Sequence, residues 1–532
     1  MATCYHNGII RTLNEEEQVE ALIENNGIIE LTGTGQQAEQ WKKDHPEVHV
    51  SDRDLQGKTL MPSFIDPHSH ITALAQTVDL LHLDGVTSID ELLQRIRDFI
   101  KANDLPAGTV VQGFGYDHNF LKEHRHPTRQ ELDSVSPDHP VLIAHASGHM
   151  GVVSSAILKN LGIDENTPDP EGGMIGREPG TTIPNGYLEE NAFLGMNKGR
   201  QAPAMDQMLD KMEKAQKVYL RYGITTVQDG VTKKPDWMML QAMAEQDKLK
   251  VDVVSYPDLK DNLEIVTDHP AYSQYNHHLR IGGGKLILDG SPQGKTAWMS
   301  RPYEGDPEYC GYPVYQDEQL QALIEKGLKN GLQILTHCNG DAASEQWIRC
   351  YERELKKYPE MIDTRPVMIH CQTVRRDQIA RMKELNMTAS FFTAHTYHWG
   401  DIHLKNFGKE RGGNVSPMKW AVEEGIPYTM HQDTPVLMPD MFESLWCACV
   451  RKTKMGQQLN TDLCITPLQA LKAVTINAAW QYHEEDRKGT LEKGKLADMI
   501  IVDKDPLNVD TDELRTIRVL ETIKEGKSVY TA

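Results

Sequence analysis

The sequence predicts an α/β fold: a TIM-like (β/α)8 barrel with a small β-sandwich domain built from both chain ends and a large insertion after the first strand. Three observations predict it. Eight short apolar runs alternate with amphipathic helical stretches, both chain ends are rich in strand-forming residues, and one gap between runs is far longer than a crossover requires.

At the first end, 19–23 and 28–31 are apolar runs flanking Asn25-Asn26-Gly27, a hairpin-type turn. At the far end, 497–502 and 519–523 are similar, and Glu525-Gly526-Lys527 precedes Ser528-Val529-Tyr530. Neither end can close a core alone, so 1–58 and 489–532 are read as one composite β domain. The barrel is read as 59–84 with 216–488. Its strands are expected at 59–65, 224–228, 251–255, 281–288, 333–337, 367–370, 389–392 and 428–431, with helical periodicity at 320–328, 377–385 and 468–480. The long gap gives an inserted α+β domain or lid over 85–215. There Ser88-Ile89-Asp90-Glu91 forms a capping-box pattern, 110–115 and 141–144 read as strands, and 167–184 reads as a Pro/Gly-rich loop.

Composition excludes several classes. A formal net charge of -21 argues against nucleic acid and anionic membrane as partners. No run reaches the ~18 apolar residues needed to span a bilayer, and the N-terminal residues lack the pattern of a secretory signal. Eight cysteines without regular spacing or a CxxC pair read as reduced thiols, so a cytoplasmic enzyme is expected. The stretch Gly290 to Thr296 resembles a phosphate-binding loop, but the required first glycine falls on Asp289.

The chemistry concentrates at strand ends. In Asp66-Pro67-His68-Ser69-His70, alternate residues face one side, so His68 and His70 can both point inward as metal ligands. His337 ends the fifth expected strand, His370 ends the sixth, and Asp433 follows the eighth. All lie where barrel strands give way to loops, the face on which barrel active sites are built. Lys285 opens the fourth strand. Its ammonium either meets a carboxylate such as Asp289, or it is carboxylated by carbon dioxide and bridges two metals.

These residues resemble the amidohydrolase superfamily, through the run 60–70, the two later histidines, the final aspartate and the segment 489–498. More narrowly the chain resembles the YtcJ-like branch, which includes N-substituted formamide deformylases. The carrying segments are 113–117, 147–149, 337–342, 398–401 and 431–436. The resemblance implies a divalent metal, of zinc type, one or two per chain, held by His68, His70, His337, His370 and Asp433, with Lys285 at the position many members carboxylate. Cys338-Asn339 departs from the usual pair after the fifth-strand histidine.

The expected reaction is hydrolysis of an amide-type C–N bond, such as an N-acyl or N-formyl amine, by metal-bound hydroxide. Asp433 is the general acid/base, with His370 or Lys285 steadying the carbonyl oxygen if one metal is present. His149, Tyr116 and Trp399 are candidates for contact with a small-molecule substrate, with ordinary loop packing the alternative for each. His145, His395, His398 and His431 are read as packing histidines. Cyclic amide or imide hydrolysis, or ring-amine deamination, is the alternative chemistry. A non-catalytic, metal-free assembly protein is the remaining one, and the intact ligand set argues against it. A homodimer is the common arrangement for such folds.

Overall fold

Turn chemistry sets the first and last elements. Ala21–Asn25 and Ile28–Gly33 pair antiparallel with Asn25 opposite Ile28. Asn26 and Gly27 between them have φ of 51° and 84°, the left-handed pair whose twist suits a two-residue hairpin. Val519–Lys524 and Lys527–Thr531 repeat the device across Glu525 and Gly526. These elements come from a computed structural model that describes residues 2–15, 18–146, 148, 150–170, 172–195 and 204–532.

The chain divides into two units, one running to Leu74 and resuming from Met212 to Ala532, the other being Ala75–Lys211. In the first, a six-stranded sheet joins both chain ends. Its order is Lys527–Thr531, Val519–Lys524, Met499–Val502, Thr59–Pro62, Ile9–Arg11, Gln18–Val19. Tyr5, Leu22 and Ile29 from the sheet containing the first hairpin share a buried core with Leu60, Met499, Ile501 and Ile523 of this one.

Two parallel sheets carry the rest of the unit. One orders Leu279–Ile281, Asp252–Pro257, Ile224–Thr232 and Phe64–Ile65. The other orders Gly283–Ile287, Gln333–Cys338, Val367–His370, Thr388–Phe391 and Tyr428–Met430. Parallel neighbours need crossover connections, and helices such as Asp317–Lys329, Asp341–Leu355 and Arg376–Glu384 supply them. Asp252–Pro257, Val367–His370 and Thr388–Phe391 are buried at every residue, as strands covered on both faces must be. A parallel bridge from Asp258 to Lys285 links the two sheets. The His70 N–H donates to the Thr434 carbonyl at 2.8 Å, joining the loops after their first and last strands.

Three expected elements differ. The run 59–65 is two strands: Thr59–Pro62 pairs with Met499–Val502 in the sheet of the chain ends, and Phe64–Ile65 pairs with Ile224–Thr232. Pro62 has no N–H to continue the ladder, and the chain changes sheets at Ser63, whose N–H donates to Asp498 O. The run 281–288 breaks at Gly282, where a Cβ would stand 2.5 Å from the Tyr256 ring. The segment 167–184 contains a strand, Gly173–Arg177, paired antiparallel with Pro184–Glu190. Its glycines hide the alternation that marks a strand.

The unit Ala75–Lys211 has its own six-stranded sheet, running from Gly173–Arg177 at one edge to Leu81–His82 at the other. Helix Ile89–Ala102 buries Leu92, Leu93 and Ile96 against it. Ser88 Oγ accepts the Glu91 N–H at its start, while the Glu91 carboxylate accepts from Thr87 N–H, one residue earlier than a capping box would place it. Among the described residues no helix is long and apolar enough to cross a membrane.

Candidate metal centre

The local backbone brings the candidate ligands together. His68 and His70 follow the two-residue strand Phe64–Ile65. His68 is buried against Gly230, where a Cβ would lie 2.6 Å from the imidazole Cε1, so only glycine lets the ring sit there. His337 lies in Gln333–Cys338 and His370 ends the adjacent strand, with His370 in register with Cys338. His370, Cys371 and Asp433 have φ of 77°, 47° and 56°, left-handed backbone that costs a non-glycine residue energy and clusters at functional sites.

Asp433 is the hub. Its Oδ1 lies 3.4 Å from His68 Nε2 and 3.2 Å from His70 Nε2, and its Oδ2 lies 4.0 Å from His370 Nε2. The ligand atoms of His68, His70 and Asp433 all fall within 4.8 Å of one another. His370 Nε2 faces His337 Nδ1 at 3.0 Å. Lys285, 2% exposed, reaches His68 Nε2 at 3.2 Å.

A family model described as the amidohydrolase family matches residues 53–530. The chain belongs to the amidohydrolase family. It is therefore a hydrolase acting on carbon–nitrogen bonds. Among its relatives, YtcJ of Bacillus subtilis (strain 168) is 25% identical over 551 residues, covering 100% of this chain and 99% of that protein. The N-substituted formamide deformylase of Arthrobacter pascens is 26% identical, covering 98% of this chain and 97% of that one. The solved structure of an uncharacterized metal-dependent hydrolase from Pyrococcus horikoshii OT3 superposes with a TM-score of 0.77 at 25% identity, covering 96% and 99%.

In this amidohydrolase an outer layer sets which nitrogen of each ring faces the centre. Gln228 Nε2 donates to Pro67 O at 2.8 Å and to Tyr482 Oη at 3.0 Å. That leaves Gln228 Oε1 to accept from His68 Nδ1 at 2.6 Å. His68 Nε2 consequently presents a lone pair to Asp433 and Lys285. His370 turns Nδ1 towards His431 Nε2 at 3.2 Å, and His431 Nδ1 meets Ser390 Oγ at 3.0 Å. His337 turns Nε2 towards Gly290 O and the Asn339 amide, and its Nδ1 towards the site. Asp289 accepts backbone N–H groups of Trp298, Asn339 and Gly340, which fixes the loop beyond His337.

Electrostatics favour a cation at this place. Burial pushes His68 and His370 well below the usual imidazole range and takes His337 down to about 4, so these rings are neutral donors. Burial also lowers Lys285, to about 7. For Asp433 burial acts upward, His70 acts downward, and the carboxyl is held well below its usual range. Among the described residues its Oδ1 is buried without a hydrogen-bond partner. Neutral imidazole nitrogens around an unsatisfied anionic oxygen are the donor set a divalent metal such as zinc takes, so the residues present fit one.

Lys285 does not meet Asp289, as one expectation had it. Its amine turns to His68, while Asp289 is taken up by backbone amides. Trp399, 8% exposed, packs on His395 with ring centres 4.5 Å apart, and Phe392 has ring contacts with both Trp399, at 6.0 Å, and His370, at 6.1 Å. Tyr116 is fully buried in the core of the Ala75–Lys211 unit, its hydroxyl bonded to His126 Nδ1 at 2.9 Å, an arrangement of packing. His149 lies outside the described residues. Sequence reasoning missed Gln228 and Ser390, noted Asn339 only as part of a departure from the usual pair, and read His431 as packing. Gln228 lies in Ile224–Thr232 among other polar residues, Thr225, Thr226 and Asp229, so nothing in the strand's sequence singled it out.

Proposed function

We propose that the chain cleaves an acyclic amide-type C–N bond, an N-acyl or N-formyl amine, at a divalent metal centre held by His68, His70, His337, His370 and Asp433. The observation that carries this reading is the buried Asp433 Oδ1, with His68 Nε2 and His70 Nε2 3.4 and 3.2 Å from it. With Leu279–Ile281 and Gly283–Ile287 taken as one strand broken at Gly282, the two parallel sheets would be halves of one eight-stranded barrel, with its candidate residues at the C-terminal strand ends. The N-formyl assignment is supported by the end-to-end match to the Arthrobacter pascens deformylase.

Zinc bound there would supply Lewis acidity and a water whose pKa is brought near neutrality. The protein's own groups would do the remaining work. Asp433, ionised at neutral pH, would take the proton of the attacking water on a carboxylate oxygen and deliver it to the departing nitrogen. That delivery matters because an unprotonated amide nitrogen leaves poorly. Gln228 and His431 would hold the His68 and His370 rings in orientation. Lys285 Nζ, buried 3.2 Å from His68 Nε2, would be the amine to carry a carboxylate were two metals held there.

The test is a substrate panel of N-substituted formamides, N-acetyl amines and cyclic amides, assayed by release of free amine with zinc-loaded protein. Formamide and acyclic amide turnover with cyclic amides inert is expected. Turnover confined to cyclic amides would replace this reading with ring opening.

A further inference from the structure

A second cluster of metal-type donors lies wholly within the Ala75–Lys211 unit. Val111–Tyr116 and Val141–His145 are parallel neighbours, and their register places Tyr116 beside His145. Asp117 and His118 come directly after the first strand, so the pairing sets them against the last residue of the second. His145 Nε2 lies 3.3 Å from Asp117 Oδ1 and 3.3 Å from His118 Nδ1, and His118 Nδ1 lies 3.8 Å from Asp117 Oδ1. All three donor atoms fall within 4.8 Å of one another.

The two edges at His145 Nε2 match those of a metal polyhedron, and the Asp117–His118 edge is longer, at 3.8 Å. Ligands about 2.0–2.1 Å from a tetrahedral zinc stand roughly 3.3–3.4 Å apart. The His68, His70 and Asp433 centre shows the same spacing, 3.2 and 3.4 Å from the imidazole nitrogens to Oδ1. The single proton of a neutral His145 Nε2 can be given to Asp117 or withheld to accept from His118. A cation at the middle satisfies all three atoms at once.

The surroundings hold the donors in place. The Asn119 backbone N–H and side-chain amide both donate to Asp117 Oδ1 at 2.9 Å. The His126 ring stacks on His118 with centres 4.1 Å apart, and Tyr116 Oη fixes His126 through Nδ1. The Asp117 and His145 side chains are 13% and 9% exposed, whereas His118 is 29% exposed. The cluster is therefore walled on most sides and open at His118, which leaves room for a water or an external ligand to complete the shell.

We propose that Asp117, His118 and His145 form a second divalent transition-metal site of zinc type, separate from the His68 and Asp433 centre. The experiment uses the full chain, stripped with chelator and reloaded with Zn²⁺ alone. Bound zinc per chain is counted by mass spectrometry for the native protein, His118→Ala, His145→Ala and His68→Ala. Each of the first two variants should lose one equivalent and keep the zinc that depends on His68. Unchanged zinc in both would overturn the proposal. Because a variant can fail by misfolding, anomalous diffraction at the zinc edge from the native protein is the second readout. A peak bonded to Asp117 Oδ1, His118 Nδ1 and His145 Nε2 is expected, and a peak at the His68 centre with none here would overturn it.

Discussion

Gln228 Oε1 stands 2.6 Å from His68 Nδ1, and the Gln228 amide nitrogen is already committed to Pro67 O and Tyr482 Oη. The carboxamide can present only its oxygen to His68, so the ring has its proton on Nδ1 and its lone pair towards Asp433. Gln228→Leu removes that constraint without removing a ligand. It should weaken zinc binding by about 10- to 100-fold, the usual scale for an outer-layer partner, read by competition with a fluorescent chelator. Unchanged affinity would mean the contact does not orient the ring.

Asp433→Asn keeps the volume and one oxygen but loses the base. Turnover should fall by roughly 10²- to 10⁴-fold, the contribution typical of a positioned acid/base. Bound metal and the thermal midpoint should change far less. Near-normal turnover would remove the proton-transfer role.

The candidate ligands were legible in the sequence because metal binding needs particular side chains, and strand ends can be located from periodicity. His68, His70, His337, His370 and Asp433 each carry that signal, and they converge in the structure. Gln228 and His431 were not legible, because their roles depend on which nitrogen of a distant ring they touch. Gln228 is 160 positions from His68. The change of sheet at Ser63 was hidden for a similar reason. The run 59–65 reads as a single strand, and only the partners of Thr59–Pro62 show that it serves two sheets. In Ala75–Lys211, glycine-rich sequence concealed Gly173–Arg177, while the cluster at Asp117 exists only because two strands pair.

Gly230→Ala tests the close approach at His68. Its Cβ would lie 2.6 Å from His68 Cε1 and 2.9 Å from Ser69 O, so the ring or the backbone must move. A loss of about 1–3 kcal/mol is expected for overpacking, with reduced zinc occupancy. Calorimetry and metal analysis on the same sample check both, and full occupancy would show that the ring has slack.

Asp252 gives a pH-dependent stability test away from the centre. It is buried with Lys524 Nζ 2.9 Å and His278 Nδ1 2.7 Å from its carboxylate, and with Lys488 also bonded to it. Burial acts to raise its pKa, but Lys488 and then Lys524 outweigh burial and hold it well below the usual range. A depressed folded pKa gives stability that is present above about 3.9, the unfolded value, and is lost as pH falls through the folded one. Asp252→Asn should cost roughly 3–5 kcal/mol at neutral pH by leaving the lysines under-compensated. In scanning calorimetry its deficit should narrow as pH drops below about 4. A deficit constant from pH 7 to pH 3 would contradict the sign.

Lys285 carboxylation has a direct spectroscopic test. Protein reloaded with zinc in carbon-13 bicarbonate should show a carbamate carbon resonance that is absent from Lys285→Gln. The same spectrum from both proteins would leave Lys285 an unmodified amine.

The most direct test of the central claim is a zinc titration of chelator-stripped protein, following amine release from an N-formyl substrate beside bound metal per chain. Activity should be absent without metal and should rise in step with occupancy of the centre that His68→Ala abolishes. Full hydrolysis by metal-free protein, or a chain that stays empty and inert when zinc is offered, would contradict the account.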